Sequence, residues 1–188
     1  MNDFSLTQWI IFGIVSLFLI VISWQSLRNS RSHGFYRFFA LETILILFLL
    51  NVRFWFYKPF AWNQIIAWSF LMLCLIPLAL GIHSLRTRGK PANQREGEPS
   101  LLAFEKTTTL VTSGIYKYIR HPLYSSLVLL AWGIFFKFLS LPGIALVTLS
   151  TLFLVLTAKA DETECTRFFG NPYHEYMKKT KMFVPYIF

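Results

Sequence analysis

Long apolar stretches are the feature that most restricts how this 188-residue chain can fold. Three of them lie in the first half, and each approaches the ~20 residues that a helix needs to cross a bilayer. A longer stretch follows Arg120 and is broken at Ser140-Leu141-Pro142-Gly143, where proline and glycine interrupt a helix. We therefore predict an all-α integral membrane protein with five transmembrane helices, the last two forming a hairpin. The predicted spans cover residues 6–24, 38–57, 65–85, 123–139 and 142–160.

Composition and charge support the same class of protein. The chain is 55% hydrophobic and only 14% charged, which excludes a soluble globular domain and favours a single membrane domain over residues 1–188. The net charge of +9 is concentrated after the first, third and fifth spans. The positive-inside rule then predicts an outer N-terminus and a cytoplasmic C-terminus, in contact with the lipid bilayer. The basic charge needs no nucleic acid as partner, and the cysteines and histidines lack metal-ligand spacing, so we predict neither nucleic acid nor metal.

One polar cluster precedes the fourth span. Pro122 suits the first turn of a helix, and the residue before a proline is pushed toward extended geometry, so His121 should lie just outside the helix. Arg120, His121 and the positive end of the helix would then form a seat for a carboxylate, with Tyr124 on a neighbouring face. The same residues could instead be simple anchors at the membrane interface.

A second cluster, Asp161 and Glu162, follows the fifth span. We expect these acids near the C-terminus of that helix, which is unfavourable for anions, so a cation or the hydroxyls of a ligand should compensate. A carboxylate can hold a ribose diol. A solvated face neutralised by Lys159 and Arg167 is the other interpretation. Because a hairpin brings both clusters to one cytoplasmic edge, together they suit a zwitterionic nucleoside such as S-adenosylmethionine.

Several motifs of the C-terminal half carry a family resemblance. The stretch LVTSGIYKYIRHPLY (residues 110–124), the acid pair and FFGNPYHEY (residues 168–176) resemble the isoprenylcysteine carboxyl methyltransferases and the wider group of membrane phospholipid methyltransferases. The resemblance implies an S-adenosylmethionine-dependent methyltransferase with a cytoplasmic cofactor-binding region over residues 104–124 and 157–188. It implies cofactor contacts by Thr108, Thr109, Leu110, Val111, Tyr116, His121, Pro122, Leu123, Tyr124 and Asp161. We assign Arg120 and Glu162 as the candidate catalytic residues.

The sequence indicates the methyl acceptor less directly than the methyl donor. Isoprenylcysteine enzymes carry a substrate-directed arginine one turn before the acids, where this chain has Thr157, which argues against a prenylcysteine carboxylate. We expect a small or lipid-like carboxylate, amine or thiol that enters from the membrane. Two other classes stay open, a membrane reductase related to sterol reductases and a carrier or accessory protein without enzymatic activity. No GxGxxG motif follows a predicted strand, so a soluble nucleotide-binding methyltransferase fold is excluded.

Overall fold

The computed structural model describes residues 5–90 and 107–187, and these form α-helices and two short 3₁₀ helices but no strand. The first residues of the predicted cofactor region, 104–106, lie outside the described part. The 3₁₀ helices are Val52–Phe54 and Gly114–Lys117. The α-helices are α1 (Leu6–Leu27), α2 (His33–Asn51), α3 (Trp62–Leu73), α4 (Leu75–Arg88), α5 (Pro122–Lys137), α6 (Leu141–Phe169) and α7 (Asn171–Lys179).

Within residues 5–90 and 107–187, four helical segments are long and apolar enough to cross a membrane: Leu6–Leu27, His33–Phe54, Trp62–Arg88 and Leu141–Phe169. The predicted all-helical membrane architecture is confirmed to this extent. Helix α5, the predicted fourth span, has only 16 residues and reaches about 24 Å, short of the ~30 Å hydrocarbon core. The count of five spans and the orientation of the termini therefore stay predictions.

The predicted third span is two consecutive helices. Helix α3 ends at Leu73 and α4 begins at Leu75, with Cys74 between them in helical geometry. Pro77 explains the break, because it has no backbone N–H to donate to the carbonyl of Leu73 and its ring crowds that carbonyl. The two helices nevertheless form one continuous apolar segment of 27 residues.

Side chains of neighbouring helices satisfy the C-terminal carbonyls of the short helix α5. Asn51 Nδ2 donates to the carbonyl of Ile134 at 2.9 Å, and Asn63 Nδ2 to that of Phe136 at 3.1 Å. Gln64 Nε2 donates to the carbonyl of Lys137 at 3.0 Å. Helix ends leave carbonyls without intrahelical partners, which is costly in a membrane. These amides show how α5 ends before it has crossed the full hydrocarbon layer.

Helices α2, α5 and α6 supply most of the buried core. Thr43 of α2 accepts a hydrogen bond from Ser150 of α6 at 2.9 Å, and Leu47 and Leu154 are fully buried beside them. Helix α1 is peripheral, with most of its large apolar side chains exposed, as a lipid-facing helix would have. Gln8 Nε2 of α1 donates a hydrogen bond to the carbonyl of Leu49 in α2 at 2.6 Å and so links the two helices.

Two details of the predicted hairpin are wrong. The turn occupies Phe138–Ser140, and Pro142 lies inside the first turn of α6, where Ser140 accepts a hydrogen bond from the backbone N–H of Gly143. More important, α6 continues to Phe169, so Asp161 and Glu162 lie within the helix and not at its end. The predicted clash with the helix dipole therefore does not arise, and these acids are compensated by side chains of other elements.

Candidate functional site

A cavity opens where the end of α4, the start of α5, the last turns of α6 and helix α7 meet. Its charged lining comes from Arg120, His121 and Asp161. Its tyrosines are Tyr116 and Tyr124, near the start of α5, and Tyr173 and Tyr176 of α7. The lining residues are Leu85, Thr107, Leu110, Val111, Tyr116, Arg120, His121, Pro122, Leu123, Tyr124, Asp161, Cys165, Phe169, Tyr173 and Tyr176. The two clusters predicted to converge therefore share one cavity.

His121 joins the two acids of α6. Its Nδ1 lies 3.4 Å from Oδ2 of Asp161, and its Nε2 lies 3.3 Å from Oε1 of Glu162. Burial disfavours the protonated ring, but hydrogen bonds to Asp161 and Glu162 and their negative charges outweigh it and raise the pKa of His121 above its ordinary value. The ring of Tyr124 stacks on the imidazole with centroids 5.4 Å apart. The imidazole is therefore fixed in position and is favoured in its charged form.

Arg120 is engaged by the protein itself. Its Nε donates to Oε1 of Glu162 at 2.7 Å, and its Nη1 donates to the carbonyls of Met177, at 3.3 Å, and Thr180. Only about a tenth of each charged side chain is exposed, so solvent screens this pair weakly. The seat for a ligand carboxylate that the sequence predicted is thus occupied by carboxylates of α6.

The C-terminal segment closes one side of the cavity. The backbone N–H groups of Arg120 and His121 donate to the carbonyls of Lys181 and Met182 at 2.8 and 3.2 Å. These two residues lie after α7, and Met182 is buried in the core. The backbone N–H of His121 is therefore used by the chain's own tail.

The segment after the undescribed stretch packs tightly against the end of α4. The backbone N–H groups of Thr108 and Thr109 donate to the carbonyl of Gly89 at 3.1 and 3.3 Å. Gly114 has φ +68°, and a Cβ there would meet Ser84 Oγ at 2.9 Å. Glycine is suited to both the backbone geometry and the close approach.

A second buried pair lies beside Asp161. Glu164 accepts a hydrogen bond from the backbone N–H of His33 at 2.9 Å, and its other carboxylate oxygen lies 2.5 Å from His33 Nδ1. His33 is fully buried, so solvent screens this pair weakly. Donor atoms of His33, Asp161 and Glu164 lie within 4.8 Å of one another, a grouping that sequence spacing did not indicate.

Most residues predicted for cofactor binding line this cavity, but three site predictions differ in placement. Thr108 and Thr109 are exposed and bind the end of α4, while the neighbouring Thr107 lines the cavity. Glu162 is absent from the described lining and contacts Arg120 and His121 instead.

The sequence analysis missed several lining residues. Leu85 lay outside the predicted cofactor-binding region. Five others lay inside it, over 104–124 and 157–188, but were not named as contacts: Thr107, Cys165, Phe169, Tyr173 and Tyr176. A signal existed for two of them, because Asp161, Cys165 and Phe169 follow one another at i, i+4 spacing and share a face once α6 is extended to Phe169. Leu85 had no such signal, since its approach depends on how α4 packs.

The comparison with known proteins bears on this region. Residues 98–171 match the family model of phospholipid methyltransferases. This segment is similar to the phospholipid methyltransferase family. The predicted family resemblance is confirmed for this segment, although the match covers less than half of the chain. No curated protein and no solved structure matches the chain significantly. The phospholipid methyltransferase segment contains most of the charged cavity lining, whereas Leu85, Tyr173 and Tyr176 lie outside it.

Proposed function

We propose that this protein is an S-adenosylmethionine-dependent methyltransferase that holds its methyl donor in the cavity between α4, α5, α6 and α7. The observation that carries the proposal is the meeting of Asp161, His121 and several tyrosines at one cavity, to which the family-matched segment contributes both charged residues. Leu110, Val111, Tyr116, Pro122, Leu123 and Tyr124 complete the proposed donor-binding set. The proposed relationship to isoprenylcysteine carboxyl methyltransferases concerns the donor site and not the acceptor.

The side chains present fit part of such a donor well. The carboxylate of Asp161 is suited to accept hydrogen bonds from ribose hydroxyls, and the tyrosine rings can pack on a purine or near a sulfonium. Arg120 fits the donor's carboxylate less well than the sequence suggested, because its guanidinium already binds Glu162 and two carbonyls.

When bound, the donor supplies an electrophilic methyl group, whose transfer requires alignment with the acceptor and no covalent enzyme intermediate. The chain's contribution is to orient and to exclude water. Leu85 and Leu123 give the cavity an apolar wall, and Asp161 fixes the polar end of the ligand. His121, held between the two acids, keeps the Asp161 carboxylate in place.

The acceptor is proposed to be an amphiphile that reaches the cavity from the bilayer and reacts through a group other than a carboxylate. Thr157, where isoprenylcysteine enzymes have an arginine, is fully buried and donates its hydroxyl to the carbonyl of Phe153 at 2.7 Å. It therefore offers no cation to an acceptor carboxylate. The family's description as phospholipid methyltransferases supports a lipid-like acceptor.

Binding of tritiated S-adenosylmethionine to the purified protein tests the donor. We expect saturable binding that Asp161→Asn weakens at least about tenfold, because a charged acceptor is lost. Glu175→Gln is the matched control, since the Glu175 side chain is mostly exposed on α7, and it should bind like the wild type. Preferential binding of NADPH, or no binding of either compound, would overturn the proposal in favour of a reductase or a carrier.

Mass spectrometry of membranes supplied with deuterated methyl donor tests the acceptor. A lipid that gains the label only when the protein is active identifies the acceptor class. Label found only in water-soluble carboxylates would contradict the lipid-like acceptor while leaving the donor site intact.

A further inference from the structure

Helix α7 lies against the cavity although it follows the family-matched segment, apart from its first residue, Asn171. Tyr173 and Tyr176 are 4% and 7% exposed, and both line the cavity. The ring of Tyr173 lies almost parallel to that of Phe169, with centroids 6.5 Å apart, and 5.8 Å from that of Tyr176. The helix thus presents a continuous aromatic wall to whatever the cavity holds.

The position of this wall is set by contacts with the 3₁₀ helix Gly114–Lys117 and with the first turn of α5. The hydroxyl of Tyr176 donates to the carbonyl of Tyr116 at 2.7 Å, within the family-matched segment. Beyond α7, the hydroxyl of Ser125 donates to the carbonyl of Phe183 at 2.9 Å. The helix is therefore held both through its own tyrosine and through the residues that follow it.

Arg120 provides the charged part of this attachment. Its Nη1 donates to the carbonyls of Met177 and Thr180, at the C-terminal end of α7, where a cation interacts favourably with the helix dipole. Its Nε is bound to Glu162, which also lies 3.3 Å from His121. Glu162 thereby holds the Nε side of the guanidinium, while the carbonyls at the end of α7 hold Nη1.

We propose that Tyr173 and Tyr176 are donor-binding residues, and that Arg120 and Glu162 are a positioning pair that holds α7 against the cavity. The inference rests on the proposed function and revises the assignment of Arg120 and Glu162 as catalytic residues. An aromatic wall suits a planar base, on which tyrosine rings stack. Burial, as the largest cause, raises the pKa of both tyrosine hydroxyls, so both rings are neutral at physiological pH.

A double-mutant cycle on donor affinity tests the pair's role. Tritiated S-adenosylmethionine is titrated against the wild type, Arg120→Gln, Tyr173→Ala and the double variant, each in the full chain. We expect each single change to weaken binding about tenfold and the double variant to bind no more weakly than Tyr173→Ala. Such non-additivity would mean that Arg120 acts through the placement of Tyr173.

Two conservative variants separate positioning from general stabilisation. Tyr173→Phe keeps the ring and should bind the donor almost as the wild type does, and Arg120→Lys should recover part of the affinity lost in Arg120→Gln. The matched control is His174→Ala on the exposed face of α7, with unchanged affinity. Trypsin should cut after Lys178 and Lys179 faster in Arg120→Gln than in the wild type, because α7 is released.

The outcomes are distinguishable. A wild type that does not bind the donor overturns the proposed function and, with it, this inference. A wild type that binds, combined with additive losses in the cycle, overturns only the positioning role, because Arg120 would then contact the donor independently. Unchanged trypsin cleavage in Arg120→Gln has the same consequence, and it can be read even where an alanine variant folds poorly.

Discussion

Arg120 Nε and Glu162 Oε1 lie 2.7 Å apart, although 42 positions separate the two residues in the chain. The contact exists because α5 begins and α6 nears its end at the same edge of the hairpin. Side chains that sequence reasoning assigned to a ligand thus bind each other. The cavity is left with Asp161, His121 and aromatic rings as its principal polar and stacking groups.

The stability of the folded protein should decrease above neutral pH because of His121. In the unfolded chain its pKa is about 6.5, whereas in the folded protein Asp161 and Glu162 raise it. The stabilisation is fully present below the unfolded pKa and is lost as the pH rises through the folded pKa. Melting temperatures of the wild type and His121→Gln, measured from about pH 6 to about pH 9, should converge toward the alkaline end. His174→Gln, at an exposed site, serves as control, and a difference that grows with pH would contradict the prediction.

Substitution of Gly89 should disturb the part of the cavity wall that begins at Thr107. A Cβ at Gly89 would lie 2.3 Å from Thr107 Cγ2 and 2.6 Å from the backbone oxygen of Leu85. Overpacking of this kind costs about 1–3 kcal/mol, and both contacted residues line the cavity. Gly89→Ala should therefore lower both the melting temperature and donor affinity. Gly13→Ala, where nothing lies within 4 Å, should lower neither, because alanine is the better helix former within α1. Equal losses in the two variants would refute the packing argument.

Removal of the Asn51 amide should destabilise the end of α5. Its Nδ2 lies 2.9, 3.5 and 3.4 Å from the carbonyls of Ile134, Phe135 and Phe138, and the residue is fully buried. Asn51→Leu leaves buried acceptors unpaired, at a cost of about 1–3 kcal/mol. The measurement is detergent-solubilised thermal unfolding, with Ser69→Ala as the control, since Ser69 is exposed and binds only its own helix. An Asn51→Leu variant as stable as the control would show that α5 does not depend on this cap.

Lys137 and Trp68 should be energetically coupled. The Lys137 ammonium lies 3.6 Å from the Trp68 ring centroid and 5.0 Å from that of Trp55, and it donates to Gln64 Oε1 at 3.1 Å. A desolvated cation–π contact contributes about 2 kcal/mol. Trp68→Leu should cost more stability in the wild-type background than in the Lys137→Met background. In the wild type the substitution leaves the buried Lys137 ammonium without the Trp68 ring, whereas Lys137→Met has no ammonium to lose it. If the losses of stability in the two single variants simply add in the double variant, the cation and the ring have no interaction energy, and each residue contributes only through its own packing.

Much of the general architecture was predictable because it depends on local properties. Hydropathy located α1, α2, the α3–α4 segment and α6, and Pro122 marked the first residue of α5. The short turn between the last two predicted spans was enough to predict that Arg120 and His121 lie close to Asp161 and Glu162. The predicted end of a helix was wrong where a helix continued into polar sequence, as α6 does beyond Asp161. Hydropathy indicates which residues prefer lipid, but it does not indicate how far the helical backbone continues.

The partners of individual side chains could not be predicted in the same way. Leu85 reaches the cavity only because α4 packs beside the start of α5, and a Cβ at Gly81 would already crowd Leu123 at 3.2 Å. His33 is buried against Glu164, 131 positions away. No local pattern encodes such distances.

The sequence by itself determined which segments require lipid, where the helix-breaking residues fall, and that the family-matched segment carries Arg120, His121 and the adjacent acids Asp161 and Glu162. Only the tertiary structure decided that Arg120 binds Glu162 and the end of α7, that Asp161 faces the cavity, and that Tyr173 and Tyr176 close it. The physical reason is that hydropathy and helix breaking act over a few neighbouring residues, whereas a buried charge binds whichever partner the packed helices bring within hydrogen-bonding distance.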